Sequence, residues 1–197
     1  MKKRLIGPST KLFPMPTLLV VVKTGQDSAN IMTIAWGGIC AGTPPIIGIA
    51  VATGHYSTPF LRKEKNFTIN IPNSQQHMQA DYCGVVSGRK DPKKAATCGF
   101  TLVPSAKISS PLILECPLNF ECRTYKEIEF EDSILFMGEV VETHIAKEVL
   151  DKQGNIVTEK LDPLVFLTNV SATKSEYRRL GDFVARPFSV GKQLAKK

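Results

Sequence analysis

Leu18-Leu19-Val20-Val21-Val22, then Thr24-Gly25-Gln26-Asp27-Ser28, then Asn30-Ile31-Met32-Thr33-Ile34-Ala35-Trp36 decide the fold. An apolar, β-branched run is followed by turn formers and then by a second run holding the only tryptophan. β-branched residues fit a pleated sheet, and a turn-rich spacer between two such runs predicts a hairpin. In a strand over Ile31–Trp36, successive side chains alternate. Asn30, Met32, Ile34 and Trp36 then share one face. An amide, a thioether and an indole on one face could line the wall of a flat, partly polar ligand. The plainer reading is a half-buried strand with a core tryptophan.

Working outward, more strands follow. Gly37–Pro45 reads as a loop, and Ile46–Ala52 as a buried strand. Ser57-Thr58-Pro59 marks a helix start, a hydroxyl cap beside a first-turn proline, with the helix running to about Lys65. Phe67–Ile71 alternates and stops at Pro72. Ser74 reads as the cap of a helix over about 75–86, and a basic loop leads to a short helix over Lys93–Cys98, ended by Gly99. Leu112–Tyr125 is a long strand or a bent pair, because Pro117 implies an edge or bulge. Ser133–Ile145 is a strand, Asp151–Asn155 a turn, and Leu164–Asn169 a late strand. The tail from Tyr177 to Gly191 reads as mixed, helical near its start. Many antiparallel strands with a few short helices predict a mainly β barrel or sandwich, and closure removes aggregation-prone edges.

The chain has 197 residues, enough for one domain with a sizeable core spanning 1–197. The net charge is +7 and concentrates at the ends and around Arg89, Lys90, Lys93 and Lys94. Basic charge favours phosphates without choosing among them. The clusters lack the interleaved aromatics of a single-strand groove, which argues against nucleic acid as a partner. Five cysteines with no Cys-x-x-Cys pair predict reduced thiols and a cytoplasmic protein, and no metal-ligand spacing occurs. No apolar run reaches the roughly 18–20 residues of a membrane span.

Nucleophilic and acid–base chemistry find little support. There is no Gly-x-Ser-x-Gly elbow, and His55, His77 and His144 lack an obvious serine or cysteine partner. His55, beside Tyr56-Ser57-Thr58, is the one in a plausible site. Cys98, just after Lys93 and Lys94, has the most electropositive setting of the thiols. Cys116 and Cys122 would share one face of an unbroken strand and read as packing. A phosphate site is better supported: Ser57 and Thr58 offer hydroxyls at a helix start, and the basic loop adds charge. Plain capping and a solvated loop are the alternatives. Neither Gly-x-Gly-x-x-Gly nor a Walker-type loop is present, so a ligand held here is a mononucleotide outside those plans.

Ordered motifs then connect these pieces: Asn30-x-Met32-Thr33-x-x-Trp36, Pro44-Pro45, His55-Tyr56-Ser57-Thr58, Phe67-Thr68-Ile69-Asn70-Ile71-Pro72, Ser87-Gly88-Arg89 with Lys93, Glu115-Cys116-Pro117-x-x-x-Glu121-Cys122, Leu135-Phe136-Met137-Gly138-Glu139-Val140, Leu161-Asp162-Pro163-Leu164, Tyr177-x-x-Leu180-Gly181 and Phe188-x-x-Gly191-Lys192. In this order, over about residues 10–192, they resemble the flavin reductase-like, FMN-binding split-barrel proteins, especially the flavoredoxin branch. The resemblance implies a six-stranded antiparallel split β-barrel, a homodimer, and one FMN per subunit near the interface. It places Asn30, Met32, Thr33 and Trp36 against the flavin and its ribityl chain. It also places Ser57 and Thr58 on the phosphate, Lys93 on flavin or phosphate, and Phe166 near the cofactor. One departure is Asp132-Ser133, where similar proteins often have a histidine, so no histidine role is carried over there. A flavin performs hydride or electron transfer itself, so no catalytic acid or base is required. The implied function is an NAD(P)H:flavin oxidoreductase, fed by NADH or NADPH, or an electron carrier serving a redox protein. A non-enzymatic flavin- or nucleotide-binding module is the alternative.

Overall fold

The computed structural model describes residues 1–169 and 172–196, so Lys197 of the basic end lies outside them. Seven strands form one antiparallel sheet: β2 (Leu18–Gly25), β3 (Ser28–Ile34), β4 (Gly37–Gly42), β5 (Pro45–Ala52), β6 (Asn66–Ile71), β9 (Leu118–Glu129) and β10 (Ser133–Ile145), in the order β3-β2-β6-β9-β10-β5-β4. The short strands β1 (Met15–Pro16), β11 (Val165–Leu167) and β12 (Glu176–Arg178) make a second sheet. A third sheet pairs β7 (Leu102–Val103) with β8 (Leu112–Ile113). Four short helices are inserted: α1 (Thr58–Glu64), α2 (His77–Val85), α3 (Lys94–Thr97) and α4 (Thr158–Leu161).

The mainly β split-barrel class is as expected, with one strand more than the resemblance implies. The two edges of the seven-stranded sheet, β3 and β4, are consecutive in the chain. Only Ala35 and Trp36 separate them, so the sheet has to curl until its edges come close. No ladder joins β3 to β4, and the seam between them is the split.

The hairpin explains the apolar run that precedes it. Val22 faces Asn30, Val20 faces Met32 and Leu18 faces Ile34 across the β2–β3 ladder. Leu18, Val20, Val22, Met32 and Ile34 point into the barrel core with Ile49, Phe67, Ile69 and Phe136. Leu19, Val21 and Ile31 point outward and pack under Ala80, Cys83, Phe100, Ile113 and Leu164. Both faces of β2 are covered, so its sequence shows no alternation. Gross burial at such positions is worth roughly 1.5–3 kcal/mol per side chain.

Several local expectations are corrected. Gly37–Gly42 is a strand, not a loop. Its glycines and exposed side chains hide it from a hydrophobic pattern, and pairing with β5 defines it. The expected strand over 31–36 ends at Ile34, and Trp36 lies beyond it. Asn73, not Ser74, caps the turn before α2, through a capping box with Gln76. Ser74 instead donates its hydroxyl to the Asp162 carboxylate. Of the two readings of the 112–125 segment, the broken one holds, as β8 and β9 on either side of Pro117. Cys116 therefore joins the outer cluster and Cys122 the barrel core, both buried but on no common face. The start of the tail is strand β12, paired with β11, and not helix.

One buried carboxylate organises the far side. Glu121 accepts hydrogen bonds from the backbone N–H groups of Ala106 and Lys107, each at 2.7 Å, and pairs with His144 Nε2 at 2.6 Å. Burial alone would raise its pKa. The backbone donors and His144 prevail and hold it below the usual carboxylate range.

Candidate functional site

Three segments far apart in sequence meet at one corner of the barrel. Asn30, nearly fully buried on β3, donates from Nδ2 to Ser57 Oγ at 2.7 Å. Ser57 precedes α1, but its hydroxyl makes no cap to the helix. Thr58 donates its hydroxyl to the Ala52 carbonyl at 3.0 Å. Both residues are buried, so the hydroxyls expected to face a phosphate are turned into the protein. They fix the turn that joins β5 to α1. The Ser57 N–H donates to His55 Nδ1 at 3.3 Å, which makes that nitrogen an acceptor. Burial first, and the nearby Lys94 ammonium second, lower the His55 pKa, in agreement with a neutral ring.

The loop Ser87-Gly88-Arg89 lies directly on this corner. A Cβ at Gly88 would stand 2.3 Å from Asn30 Oδ1 and 2.4 Å from the Tyr56 ring. Only glycine permits so close an approach. Arg89 then sits with its guanidinium 6.0 Å from the centre of the Tyr56 ring, a cation–π distance, and Tyr56 meets Phe60 edge-on at 5.2 Å.

The two lysines of the next segment divide. Lys93 is exposed at the start of α3. Lys94 is buried, and its ammonium donates to the carbonyls of Ile31 on β3 at 2.9 Å and Cys83 on α2 at 3.1 Å. Burial lowers its pKa. Asp91 ties this segment together, accepting from the hydroxyls of Thr97 at 2.8 Å and Tyr82 at 3.0 Å and from the Lys93 N–H at 2.8 Å. The electropositive setting expected for Cys98 is outweighed by burial, which pushes its pKa up.

Beyond the corner, two clefts flank Ala35. One of 240 Å³ is lined by Thr33, Ala35, Gly84, Phe166 and Tyr177 among others. The other, of 390 Å³, is lined by Trp36 with Leu12, Pro14, Met15 and Gly37. Trp36 is 48% exposed. Its carbonyl accepts from the Ala50 N–H at 2.8 Å, so its backbone extends the β4–β5 ladder by one step. Thr33 donates its hydroxyl to the Ala80 carbonyl of α2. Phe166 packs on Tyr177 with ring centres 5.6 Å apart.

The expected site residues therefore fall in five places. Asn30, Ser57 and Thr58 share the buried corner; Thr33 and Phe166 share one cleft, and Trp36 lines the next. Lys93 stands exposed on the basic loop side. Met32 is fully buried in the barrel core and has no side-chain surface for a ligand. Lys94 braces β3 beside the corner and Tyr177 lines the first cleft, although the sequence singles out neither for the site. Lys94 shares its type with its neighbour, and only the phase of a four-residue helix selects it. A separate cleft of 590 Å³, lined mainly by apolar residues such as Leu18, Ile47, Phe120 and Val140, contains none of the expected residues.

Comparisons with known proteins give the family and the fold. The family model described as "Flavin reductase like domain" matches residues 10–173. The flavoredoxin of Desulfovibrio vulgaris (Miyazaki F), a solved structure, is 32% identical, with a TM-score of 0.88 over 97% of this chain and 100% of that one. The flavoredoxin of Methanosarcina acetivorans is 29% identical, with a TM-score of 0.88 over 98% of this chain and 100% of that one. A protein of Archaeoglobus fulgidus is 31% identical over 72% of this chain and 78% of its own length.

Proposed function

The chain belongs to the flavin reductase-like family, and from that premise we propose that it is an FMN-binding flavoprotein working in hydride or electron transfer. The observation that carries the reading is the meeting of Asn30, His55-Tyr56-Ser57 and Ser87-Gly88-Arg89 at one corner, beside two clefts lined by Thr33, Trp36, Phe166 and Tyr177.

The residues present fit such a cofactor. A flat ring system needs aromatic and small apolar walls, which Trp36, Ala35 and Phe166 supply. A phosphate needs cations, which Arg89 and Lys93 supply from the basic loop. Asn30, Ser57 and Thr58 act as positioning residues, because their polar atoms hold the β3–α1 corner against Gly88. Met32 contributes by packing beneath that strand. Bound FMN supplies the redox chemistry itself; the protein binds it, orients it and shields it from water. Electrons would come from NADH or NADPH, or from a redox protein partner.

The reading extends to a homodimer. Ile39 on the edge strand β4 is 85% exposed, and the large apolar cleft lies alongside it. A second copy is the occupant that would cover this face.

Absorbance of the purified protein tests the cofactor. A yellow protein, or one that takes up added FMN, is the expected result, and a colourless protein that binds none overturns it. Removing Arg89 and Lys93 together should weaken FMN roughly tenfold or more while leaving riboflavin nearly unchanged, since only FMN carries the phosphate. Equal losses for both ligands would refute the phosphate assignment. Bleaching of the bound flavin by NADH or NADPH in stopped flow distinguishes a reductase from a carrier.

A further inference from the structure

Two cysteines stand in contact where the helices over β3 meet. Cys83, in α2, is buried, and Cys98, directly after α3, is partly exposed. Their sulfurs are 3.7 Å apart. The Cys98 sulfur also lies 4.0 Å from the Gln79 carbonyl, one helical turn before Cys83. It therefore sits over a single turn of α2. No other contact this close joins two of the five thiols among the described residues.

We propose that Cys83 and Cys98 are a reversible disulfide site that staples α2 to α3. A disulfide needs sulfurs about 2.05 Å apart, so the pair must close by roughly 1.7 Å. The adjustment falls on the Cys98 side. Its helix is four residues long and is capped by Cys98 itself, and Gly99 follows with φ +68° and open space around the position of a Cβ. Cys83 lies inside a nine-residue helix packed on the outer core and stays in place.

The exposures assign the roles. Cys98, the reachable thiol, loses its proton to solvent and attacks one sulfur of a disulfide oxidant, R–S–S–R, releasing one R–S⁻. A mixed disulfide, Cys98–S–S–R, remains. Cys83 then loses its proton and attacks the Cys98 sulfur, which releases the second R–S⁻. In sum, two protein thiols become one protein disulfide, and R–S–S–R becomes two R–SH. Burial raises the pKa of both thiols, so the exchange is slow at neutral pH and is best followed in mild alkali.

The staple acts on the segment that carries Lys93 and Lys94. In the reduced state α3 is held by the Lys94 ammonium and by Asp91; in the oxidised state a covalent bond is added fifteen residues along the chain from Cys83. This inference stands on the two sulfurs and does not depend on the flavin reading.

Incubating the purified full chain with oxidised glutathione, then alkylating and mapping peptides, tests it. The expected product is a Cys83–Cys98 linked peptide pair, reversed by dithiothreitol. The oxidised protein should melt roughly 5 °C higher or more. Amide exchange over residues 94–98 should slow several-fold. Cys98→Ser should abolish both changes while the wild-type fold is retained. Two results would overturn the inference: glutathione lodged on Cys98 with Cys83 still free, or both thiols still alkylated after prolonged oxidation.

Discussion

The two edges of the main sheet are treated in opposite ways. Edge β3 is covered. Its Ile31 carbonyl receives the buried Lys94 ammonium, its Thr33 hydroxyl reaches the Ala80 carbonyl, and α2 and α3 lie over it. Edge β4 is bare, glycine-rich and exposed along most of its length. Exposed strand edges invite pairing and are normally blunted or covered. The contrast shows one sheet using its own helices to protect one edge, beside the candidate site, while the other edge stays exposed.

Lys94→Met attacks the covered edge and should have the largest effect. Two buried carbonyls lose their charged donor, at a cost of about 2–3 kcal/mol. Chemical denaturation measures it. An unchanged midpoint would show that β3 is protected by apolar packing alone. Acidification sharpens the comparison with a smaller, graded effect. Hydrogen bonding, led by the Thr97 hydroxyl, holds Asp91 below its ordinary pKa. Its folded pKa is the lower one, so its contribution is complete above the ordinary carboxylate range. It is lost as pH falls through the folded value. Amide protection, taken relative to the intrinsic exchange rate at each pH, should therefore fall near residues 87–98 at acid pH, beginning below about pH 4, while that of β4 keeps its neutral value. A parallel fall at both edges would contradict the assignment of Asp91 to the cover. Ile39→Lys should have the smallest effect on subunit stability, within about 0.5 kcal/mol, because the side chain rests on nothing. If the proposed dimer forms through β4, sedimentation of the same variant should show it weakened. A dimer as tight as the wild type would move the interface away from β4.

The same contrast explains what the sequence revealed. Strands β2, β5, β6 and β10 were legible because apolar residues must be buried on one or both faces. Strand β4 was not, since glycines and an exposed isoleucine carry no burial pattern. The site was legible by type and order more than by position. Asn30 and the 55–58 turn were found, and they do meet. The inward direction of the Ser57 and Thr58 hydroxyls depends on the tertiary placement of Ala52 and Asn30, which no local pattern encodes. Lys94 escaped notice because choosing it over Lys93 needs the helix phase against β3. Cys83 and Cys98 lie in separate helices, and only the packing of α2 on α3 brings their sulfurs together.

Trp36 is the only indole in the chain, and it stands at the seam between the two edges. Its backbone is pinned to Ala50 while its ring is half open to solvent. When the indole is excited selectively over the four tyrosines, its emission reports from that one seam, beside the cleft it lines and next to the exposed edge β4.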